Sequence, residues 1–372
     1  MSNTPPSAAG LAPRVRFTGS PAFQTTLRRT VDRYFRLTGK STRDNLRMYL
    51  KTAIVAAWTI ASYVLLVFVC DAWWQAVPLA ISLGFATAAV GFNIQHDGSH
   101  GAYSRFAWVN RIMASTMDMV GASSFVWARK HNTLHHTYTN IDGRDDDIDV
   151  GFFARISPHQ RRLGVHRFQH VYLWFLYALL PMKWQFVDDF YNVAAGRISG
   201  SRMARPKGWD LVLFVAGKAV FFFFALVLPM MLHPVWAVIG LYALACFVQG
   251  VVISVVFQLA HVVEAADFPV PDPATGQIEE SFAEHQLRTT VDFARKNWLV
   301  SWFVGGLNFQ VEHHLFPRIC HVHYPKLARL VERTCRKAGV EYHVNPSVRA
   351  AIASHYRWLR QMGQGQTPAT AA

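Results

Sequence analysis

Charged residues are scarce in this chain. Of its 372 residues, 16% are Asp, Glu, Lys or Arg, and 52% are hydrophobic. A typical soluble domain has about 25% charged residues. The apolar residues are concentrated in four runs, at 52–70, 74–92, 211–232 and 235–258. Each run is close to the roughly 20 residues that a helix needs to cross a bilayer, so the composition excludes an ordinary soluble domain and predicts four transmembrane helices.

Cysteine is also rare, and its positions exclude two further classes of protein. The four cysteines are Cys70, Cys246, Cys320 and Cys335, and no two of them form a CxxC pair. Neither a disulfide framework nor a thiolate metal site is therefore predicted. No cleavable signal peptide is expected, because about fifty polar and basic residues precede the first apolar run. The first span itself is expected to target the chain to the membrane.

The formal net charge of +14 is concentrated outside the apolar runs. Residues 1–51 contain ten Lys or Arg residues and two acids, Asp32 and Asp44. By the positive-inside rule, this segment lies in the cytoplasm. Orientation in the membrane and attraction to anionic lipid account for the charge, so no nucleic-acid partner is predicted.

Short links between the runs determine the expected topology. Residues 71–73 join the first two runs and residues 233–234 join the last two, which gives two helical hairpins. With a cytoplasmic N-terminus, residues 93–210 and everything after 258 then share the cytoplasmic side. Two weaker apolar stretches, 105–127 and 171–184, are short or carry charges, so they are expected to lie in the membrane interface.

The predicted fold class is therefore an all-α integral membrane protein. It has four transmembrane helices in two hairpins, interfacial helices and a cytoplasmic helical cap. The predicted segments are a basic cytoplasmic segment at 1–51, a membrane domain at 52–335 and a cytoplasmic C-terminal segment at 336–372. The tail from Gly363 is expected to be disordered. Lys218, inside the third span, is expected to extend its amine to the membrane surface.

Eight of the 17 histidines form three tight clusters and one outlier. Imidazole suits zinc, copper, iron and nickel, and eight such ligands are too many for one ion but enough for two. In the predicted topology all of them lie at the cytoplasmic face. The candidate metal ligands are His96, His100, His131, His135, His136, His261, His313 and His314.

The spacing within the clusters favours a site with two metals. His96 and His100 are four residues apart, as are His131 and His135, and on a helix such pairs share a face and converge on one site. The adjacent histidines that end the second and third clusters point about 100° apart on a helix. An adjacent pair therefore suits two neighbouring metals better than one.

Acids near the clusters are candidate partners for the second nitrogen of the metal-bound imidazoles; the alternative is a solvated acidic loop. These acids are Asp97, Asp145, Asp146, Asp147, Asp149, Glu264 and Glu312. Surface or interfacial positions are expected for most of the other histidines, although His321 and His323 could support the third cluster. The other histidines are His159, His166, His170, His233, His285, His321, His323, His343 and His355.

Three motifs resemble the histidine boxes of the membrane fatty acid desaturases: NIQHDGSHGAYS at 93–104, KHNTLHHTYTNIDGRDDDID at 130–149 and GGLNFQVEHHLFPRICHVHYPKL at 305–327. The resemblance runs from about Arg47 to Arg333. It implies a non-haem centre of two iron ions that uses O₂ and two electrons to introduce a double bond into an acyl chain.

Gln310 stands where many members of that family have the first histidine of the third box. This variant is similar to front-end desaturases and to bacterial linoleoyl-CoA desaturases. Gln310 could bind iron directly, bind through water, or not bind at all. The HPGG haem motif of a fused cytochrome b5 domain does not occur in the sequence. The resemblance then implies a separate electron donor, such as a ferredoxin-like carrier with its reductase.

The substrate is expected to be an acyl-CoA, an acyl–acyl-carrier-protein or an acyl lipid, held in an apolar channel. Trp127, Phe309 and Phe316 are candidates for the channel lining, and ordinary packing is the alternative for each. The expected location is a bacterial inner membrane, with both termini and the active site in the cytoplasm. A basic cytoplasmic face would suit an acidic carrier protein or the phosphates of CoA.

Two other functions are compatible with parts of this pattern. A hydroxylase or ketolase of the same superfamily would make the same first attack on the acyl chain. A metal transporter or a b-type cytochrome would also use histidines, but their ligands lie near the bilayer midplane or within the spans. Here the clusters follow the spans or lie between them, which favours the desaturase.

Overall fold

The computed structural model describes residues 13–366, and within them it is mostly helical. Four helices are long and apolar enough to cross a membrane, as the four apolar runs predict. The second and fourth of these helices continue beyond the end of their apolar runs, so that His96 lies in the last turn of the second helix and His261 ends the fourth. We call them spans 1 to 4: Leu46–Val69, Trp73–Ser99, Trp209–Leu232 and Val235–His261.

Span 2 and span 4 lie against each other, and span 1 packs beside span 2. A Cβ atom added at Gly84 of span 2 would lie 2.6 Å from the carbonyl oxygen of Ala245 in span 4. Small residues at such interfaces allow two helix backbones to approach closely. This approach brings together the two helix ends that carry His96 and His261.

Five helical segments of the described part of the chain have the wider π-type hydrogen bonding, which often occurs at functional sites. They are Leu65–Val69, Gly91–Gln95, Ala128–His135, Trp184–Asp188 and Phe223–Val227. The second of these directly precedes the first histidine cluster, and the third contains most of the second cluster. The π-type bonding changes the direction in which the following side chains point.

The weaker apolar stretches form short helices, and none of these is a candidate span. Stretch 105–127 forms Ala107–Ala114, Thr116–Met119 and Ser124–Trp127, and stretch 171–184 lies mainly in Gln169–Tyr177 and Leu180–Lys183. Their position in the membrane interface stays a prediction.

A cap of amphipathic helices covers the ends of the spans that carry the histidines. Helix Ala22–Thr38 buries Leu27, Val31 and Phe35 against helices Phe282–Thr289 and Tyr324–Ala338. The predicted segment boundaries at 51 and 335 fall inside helices, and the division into three segments stays a prediction. Span 2 ends in the segment His96–Ser99 and span 3 in Leu228–Leu232. The other described helices of four or more residues are Asp189–Ala195, Trp298–Phe303, Gln310–Leu315, Val348–Gln364 and the short 3₁₀ segment Gly164–Phe168.

Within residues 13–366 there are three minimal strand pairs, of which the two parallel ones join distant parts of the chain. Two are parallel, Arg16–Phe17 with Gln277–Ile278 and Asp292–Phe293 with Val344–Asn345, and one is an antiparallel hairpin of Arg197–Ile198 and Ser201–Arg202. Shorter helical turns occur at His136–Tyr138, Asp146–Ile148, Gly151–Phe153 and His321–His323.

The prediction that Lys218 extends to the membrane surface is wrong. Its amine is buried, and it donates hydrogen bonds to Asp189 (2.7 Å) and to the carbonyl oxygens of Gly121 (2.7 Å) and Trp184 (3.2 Å). A buried ammonium needs such an ion pair and hydrogen bonds. The acid comes from a helix 29 residues earlier in the chain, which sequence distance conceals.

Two other expectations need correction. The tail does not become irregular at Gly363, because the last helix continues to Gln364 and buries Gly363; residues 367–372 lie outside the described part. Three histidines expected at a surface or interfacial position are buried, namely His166, His285 and His355, and the two that could support the third cluster, His321 and His323, are buried as well. His355, for example, donates to the carbonyl of Val262 and lies 2.8 Å from the hydroxyl of Tyr177.

Candidate metal centre

The eight clustered histidines come together at the ends of spans 2 and 4. Seven of the eight side chains are buried, and His100 is half-buried. Span 2 contributes His96, and His100 follows its last turn. The π-type turn Ala128–His135 and the residue after it contribute the second cluster, His261 ends span 4, and the helix Gln310–Leu315 contributes the third cluster.

The histidines form two neighbouring groups, and within each group the nearest ring nitrogens all lie within 4.8 Å of one another. The first group is His96, His100, His131 and His313, and the second is His135, His261 and His314. The ring of His136 lies between them, with its centre 4.3 Å from that of His314 and 4.5 Å from those of His100 and His313.

The grouping agrees with the expectation for adjacent histidines, because His313 and His314 face different groups. His131 and His135 converge on Asp147, with one nitrogen of each ring and a carboxylate oxygen all within 4.8 Å of one another, and their rings stack 5.2 Å apart. Within the histidine centre itself, His131 belongs to the first group and His135 to the second. Both lie in the π-type turn, where residues four apart do not project as they do on an α-helix.

Many imidazole nitrogens in this cluster are buried without a hydrogen-bond partner among residues 13–366. Buried polar atoms without a partner are rare, and each one calls for an explanation such as a bound ion. These atoms are Nε2 of His100, Nδ1 of His131, both nitrogens of His136, and Nε2 of His261, His313 and His314. Their convergence is the arrangement that transition-metal ions require, so the residues fit the implied pair of ions.

The opposite nitrogen of four histidines is held by a hydrogen-bond partner. Such bonds set the tautomer and orient the ring of a metal ligand, and here they leave Nε2 free to face the centre. The Nδ1 contacts are those of His135 with Asp145 (3.1 Å), His261 with the carbonyl of Thr289 (3.2 Å), His313 with the hydroxyl of Tyr324 (3.2 Å) and His314 with Oε1 of Gln286 (2.8 Å).

Two of the predicted acids approach the cluster. Asp145 is fully buried and also accepts from the backbone N–H groups of Asn140 and Asp147. Asp147 lies 3.4 Å from Nδ1 of His135 and 4.0 Å from that of His131, and it pairs with Lys130 at 3.4 Å. The run Asp145–Asp147 thus anchors the second histidine cluster from outside.

The hydrogen bonds of the other predicted acids go elsewhere. Their partners in the structure are Arg357 and Gln361 for Glu264, Tyr342 for Glu312, Lys130 and Ser199 for Asp146, the N–H of Gly151 for Asp149, and His321 for Asp97. His321 in turn lies 3.2 Å from the amine of Lys51, so Asp97 supports a buried cluster beside the centre.

Burial keeps most of the ligand set neutral. Burial and the neighbouring imidazoles lower the pKa of His100, His136, His313 and His314 well below the usual value, and burial lowers that of His131 to about 4. His135 is the exception, because Asp145 and Asp147 outweigh the opposing effect of burial and raise its pKa. Neutral imidazole is the form that binds metal.

Sequence reasoning missed three partners of the histidines: Gln286, Tyr324 and the carbonyl of Thr289. Gln286 is fully buried, and its Nε2 donates to the carbonyl of His136 at 3.1 Å while its Oε1 serves His314. Gln286 and Thr289 come from a helix outside the three motifs, so the sequence carried no local signal for them, whereas Tyr324 lies within the third motif but is not a residue type that marks a metal site. Gln310 is buried in the helix of the third cluster, and its contact with a metal stays a prediction.

A cavity borders the first histidine group at His96. Trp127 is on its wall, and its ring stacks 4.6 Å from that of His131. Phe309 and Phe316 do not line this cavity; they pack around Tyr324 in the cap. The cavity is lined by Thr87, Gly91, Phe92, Gln95, His96, Met117, Val120, Ala122, Trp127, Pro181, Trp184, Gln185, Gln249, Ile253 and Phe257.

Comparison with known proteins identifies the class that this fold and site define. A family model described as fatty acid desaturase matches residues 72–346, and the chain belongs to that family. It is an integral membrane protein and a fatty acid desaturase with a histidine-rich metal site.

Several curated proteins are similar over most of the chain. A sn-1 linoleoyl-lipid 6-desaturase of Arthrospira platensis is 41% identical over 94% of this chain and 95% of its own length. The protein of the same description from Synechocystis sp. is 39% identical over 95% of this chain and 99% of its own. An acyl-lipid (8-3)-desaturase of Physcomitrium patens is 35% identical over 92% of this chain and 72% of its own.

Proposed function

We propose that this desaturase introduces a cis double bond into the acyl chain of a lipid at a centre of two iron ions, with O₂ and two external electrons. The observation that carries the proposal is the set of buried, unpartnered imidazole nitrogens beside an apolar cavity. Iron suits this ligand set, whereas zinc would fit the nitrogens but has no redox chemistry.

We assign one iron to each histidine group. His96, His100, His131 and His313 would hold the first, and His135, His261 and His314 the second. His136, which lies between the groups, would complete either one. Gln310 would contribute through water, since an amide binds iron more weakly than imidazole does.

Bound iron with O₂ supplies an oxidant strong enough to remove hydrogen from an unactivated methylene group. The reaction converts –CH₂–CH₂– to –CH=CH–: two hydrogen atoms from the substrate, two electrons from a donor and two protons from water reduce O₂ to two molecules of water. No side-chain nucleophile or general base is needed, so the protein contributes position and shelter from water.

The cavity residues perform that positioning. His96 of the first histidine group and Trp127 are among the lining residues of the cavity, so an acyl chain lying in it would pass beside that group. The rest of the lining is largely apolar and includes Phe92, Ile253 and Phe257. Such a lining binds methylene groups and excludes water from the reacting carbons.

The names of the similar cyanobacterial proteins support a linoleoyl group on the sn-1 position of a lipid as the substrate and position 6 as the site of the new bond. Both relatives align over nearly their whole length, which favours the same carrier over CoA or acyl carrier protein. The basic N-terminal segment and the positive-inside rule support a centre and termini on the cytoplasmic side of the membrane.

The test is the fatty-acid profile of a bacterial host that expresses the chain with a ferredoxin and its reductase and is fed linoleate. Gas chromatography–mass spectrometry should find a triene with a new bond at position 6. The His313→Ala variant should make none, and the His343→Ala variant, which changes a histidine outside the cluster, should match the parent.

Three outcomes would contradict the proposal in different ways. A hydroxy fatty acid would indicate the hydroxylase of the same superfamily. A double bond at another position would overturn the proposed regiochemistry alone. Equal product from the His313→Ala variant would overturn the assignment of the centre.

A further inference from the structure

We infer that the electron donor docks on a basic face formed by two helices of the cap, Ala22–Thr38 and Tyr324–Ala338, and that the donor is an acidic one-electron carrier protein. This inference rests on the proposed function, because it concerns where the two electrons enter. We call this surface the two-helix face.

The charge of the two-helix face is strongly positive. The first helix contributes four exposed arginines and the second contributes five exposed lysines or arginines, against one acid from each helix, Asp32 and Glu332. Glu332 is already engaged by Arg295 at 3.0 Å and Arg336 at 3.4 Å. The basic residues are Arg28, Arg29, Arg33, Arg36, Lys326, Arg329, Arg333, Arg336 and Lys337.

Most of these cations have no local role. Within residues 13–366, Arg336 is the only one of the nine that forms an ion pair. Like charges gathered on one surface repel each other and destabilise the fold slightly. The same arrangement attracts a partner of opposite charge and speeds its association.

The apolar residues of these two helices are already covered, which distinguishes a protein partner from a lipid surface. Leu27, Val31 and Phe35 pack against the second helix or its surroundings, and the second helix buries Leu327 and Val331 in return. Leu37 is the only large hydrophobic residue of the two helices that is exposed. A helix that binds in a membrane interface needs an exposed apolar face to bury in the lipid, and neither helix offers one.

The two-helix face is close to the metal centre. Tyr324 opens the second helix, is fully buried, and its hydroxyl lies 3.2 Å from Nδ1 of the metal-ligand candidate His313. Lys326 and Arg329 are exposed within about one and a half turns of that tyrosine. A carrier bound here would therefore be separated from the ligand set by little more than one helix.

Two carrier molecules docking in turn would each be oxidised by one electron, and the two electrons would reach the centre that reduces O₂. The partner's chemistry follows from the charge of the face: a small soluble protein with an acidic surface around its redox group. A plant-type [2Fe–2S] ferredoxin is a suitable probe of this class.

The experiment compares two double charge reversals in the full-length protein in nanodiscs of neutral lipid. Arg329→Glu/Arg333→Glu changes the two-helix face, and Arg161→Glu/Arg167→Glu makes the same change of charge at exposed arginines elsewhere. Turnover of linoleoyl lipid is measured against ferredoxin concentration and ionic strength. The first variant should raise the KM for ferredoxin about tenfold at low salt and flatten the salt dependence. The second should change the KM less than twofold.

Single turnover with dithionite in place of ferredoxin separates the two proposals. Product from both variants under dithionite, with the KM raised only in the first, supports docking at the two-helix face. Product under dithionite with an equal KM in both variants would overturn the docking inference and leave the proposed function intact. No product from the parent protein under dithionite or ferredoxin would count against the proposed function. An effect of the first variant that appears only in anionic nanodiscs would mean that the face binds lipid, which also overturns the inference.

Discussion

Gln286 offers the sharpest test of how the histidines are held. In the Gln286→Leu variant, Nδ1 of His314 loses its 2.8 Å acceptor and keeps only the hydroxyl of Thr139 at 3.4 Å. The carbonyl of His136 loses its 3.1 Å donor as well. A lost partner of a metal-ligating histidine typically lowers metal affinity about 10- to 100-fold, which is about 1.4 to 2.7 kcal/mol for the affected ion.

The control must separate this effect from a general loss of stability. Gln169 is also fully buried, and its amide is hydrogen-bonded to the backbone of Arg155 and Leu359 rather than to any of the eight clustered histidines. Each buried group that loses its partner costs about 1–3 kcal/mol of folding free energy. Gln169→Leu should therefore lower the unfolding temperature about as much as Gln286→Leu does. Gln169→Leu should nevertheless bind iron as the parent does.

The assay is competition of each purified variant with a chromophoric iron chelator, beside thermal unfolding of the metal-free protein. One of two bound irons should be weakened in Gln286→Leu, because Gln286 contacts His314 of the second group. Parent-like affinity for both irons in Gln286→Leu, or an equal loss in Gln169→Leu, would refute the reasoning.

Three further predictions concern the rest of the molecule. Lys218→Met leaves Asp189 buried without its ion pair, so the folded state should lose about 3–5 kcal/mol, measured as a lower thermal unfolding temperature in detergent. Gly305→Ala should reduce the yield of folded protein, because Gly305 has a φ of +61° and an added Cβ would collide with a backbone carbonyl of span 2. Ile253→Trp fills the cavity wall and should lower product yield on the order of 100-fold through misplacement of the substrate, with iron content unchanged.

Each of these changes has a matched control. The double variant Lys218→Met/Asp189→Asn should recover part of the stability that Lys218→Met loses, and simple additivity would count against a coupled pair. Gly39 has a φ of +62° and open space around it, so Gly39→Ala should cost only about 1–3 kcal/mol of backbone strain. Ile239 is exposed on the same span as Ile253, and Ile239→Trp should leave turnover unchanged; an equal loss would mean that the cavity is not the acyl site.

The four spans could be predicted from the sequence because length and apolar composition suffice to identify a transmembrane helix. The ends of the spans that carry the histidines could not be predicted, because the hydropathy of the sequence falls where these helices pack against protein rather than lipid. Span 2 continues through His96 and Asp97 to Ser99, and both of these polar side chains are buried against the cap. The chain becomes polar there without ceasing to be helical.

The eight clustered histidines could also be found in advance, since metal binding demands a specific residue type at short spacings. The division of His131 and His135 between the two groups could not be read in advance, because the π-type turn that carries them has no sequence signature as clear as a proline or a glycine. Partners such as Gln286 and the carbonyl of Thr289 are brought to the centre by tertiary packing alone. Lys218 was misjudged for the same reason, since its partner Asp189 lies in a different helix.

The most direct test of the account is a titration of the metal-free protein with ferrous iron in linoleoyl-lipid nanodiscs. After each addition, the protein is reduced with dithionite, exposed to O₂ and quenched, and the triene formed per chain is measured. The account predicts that product rises until two irons are bound per chain and then stays constant. Full product at one iron per chain, or full product from protein that holds only zinc, would contradict it.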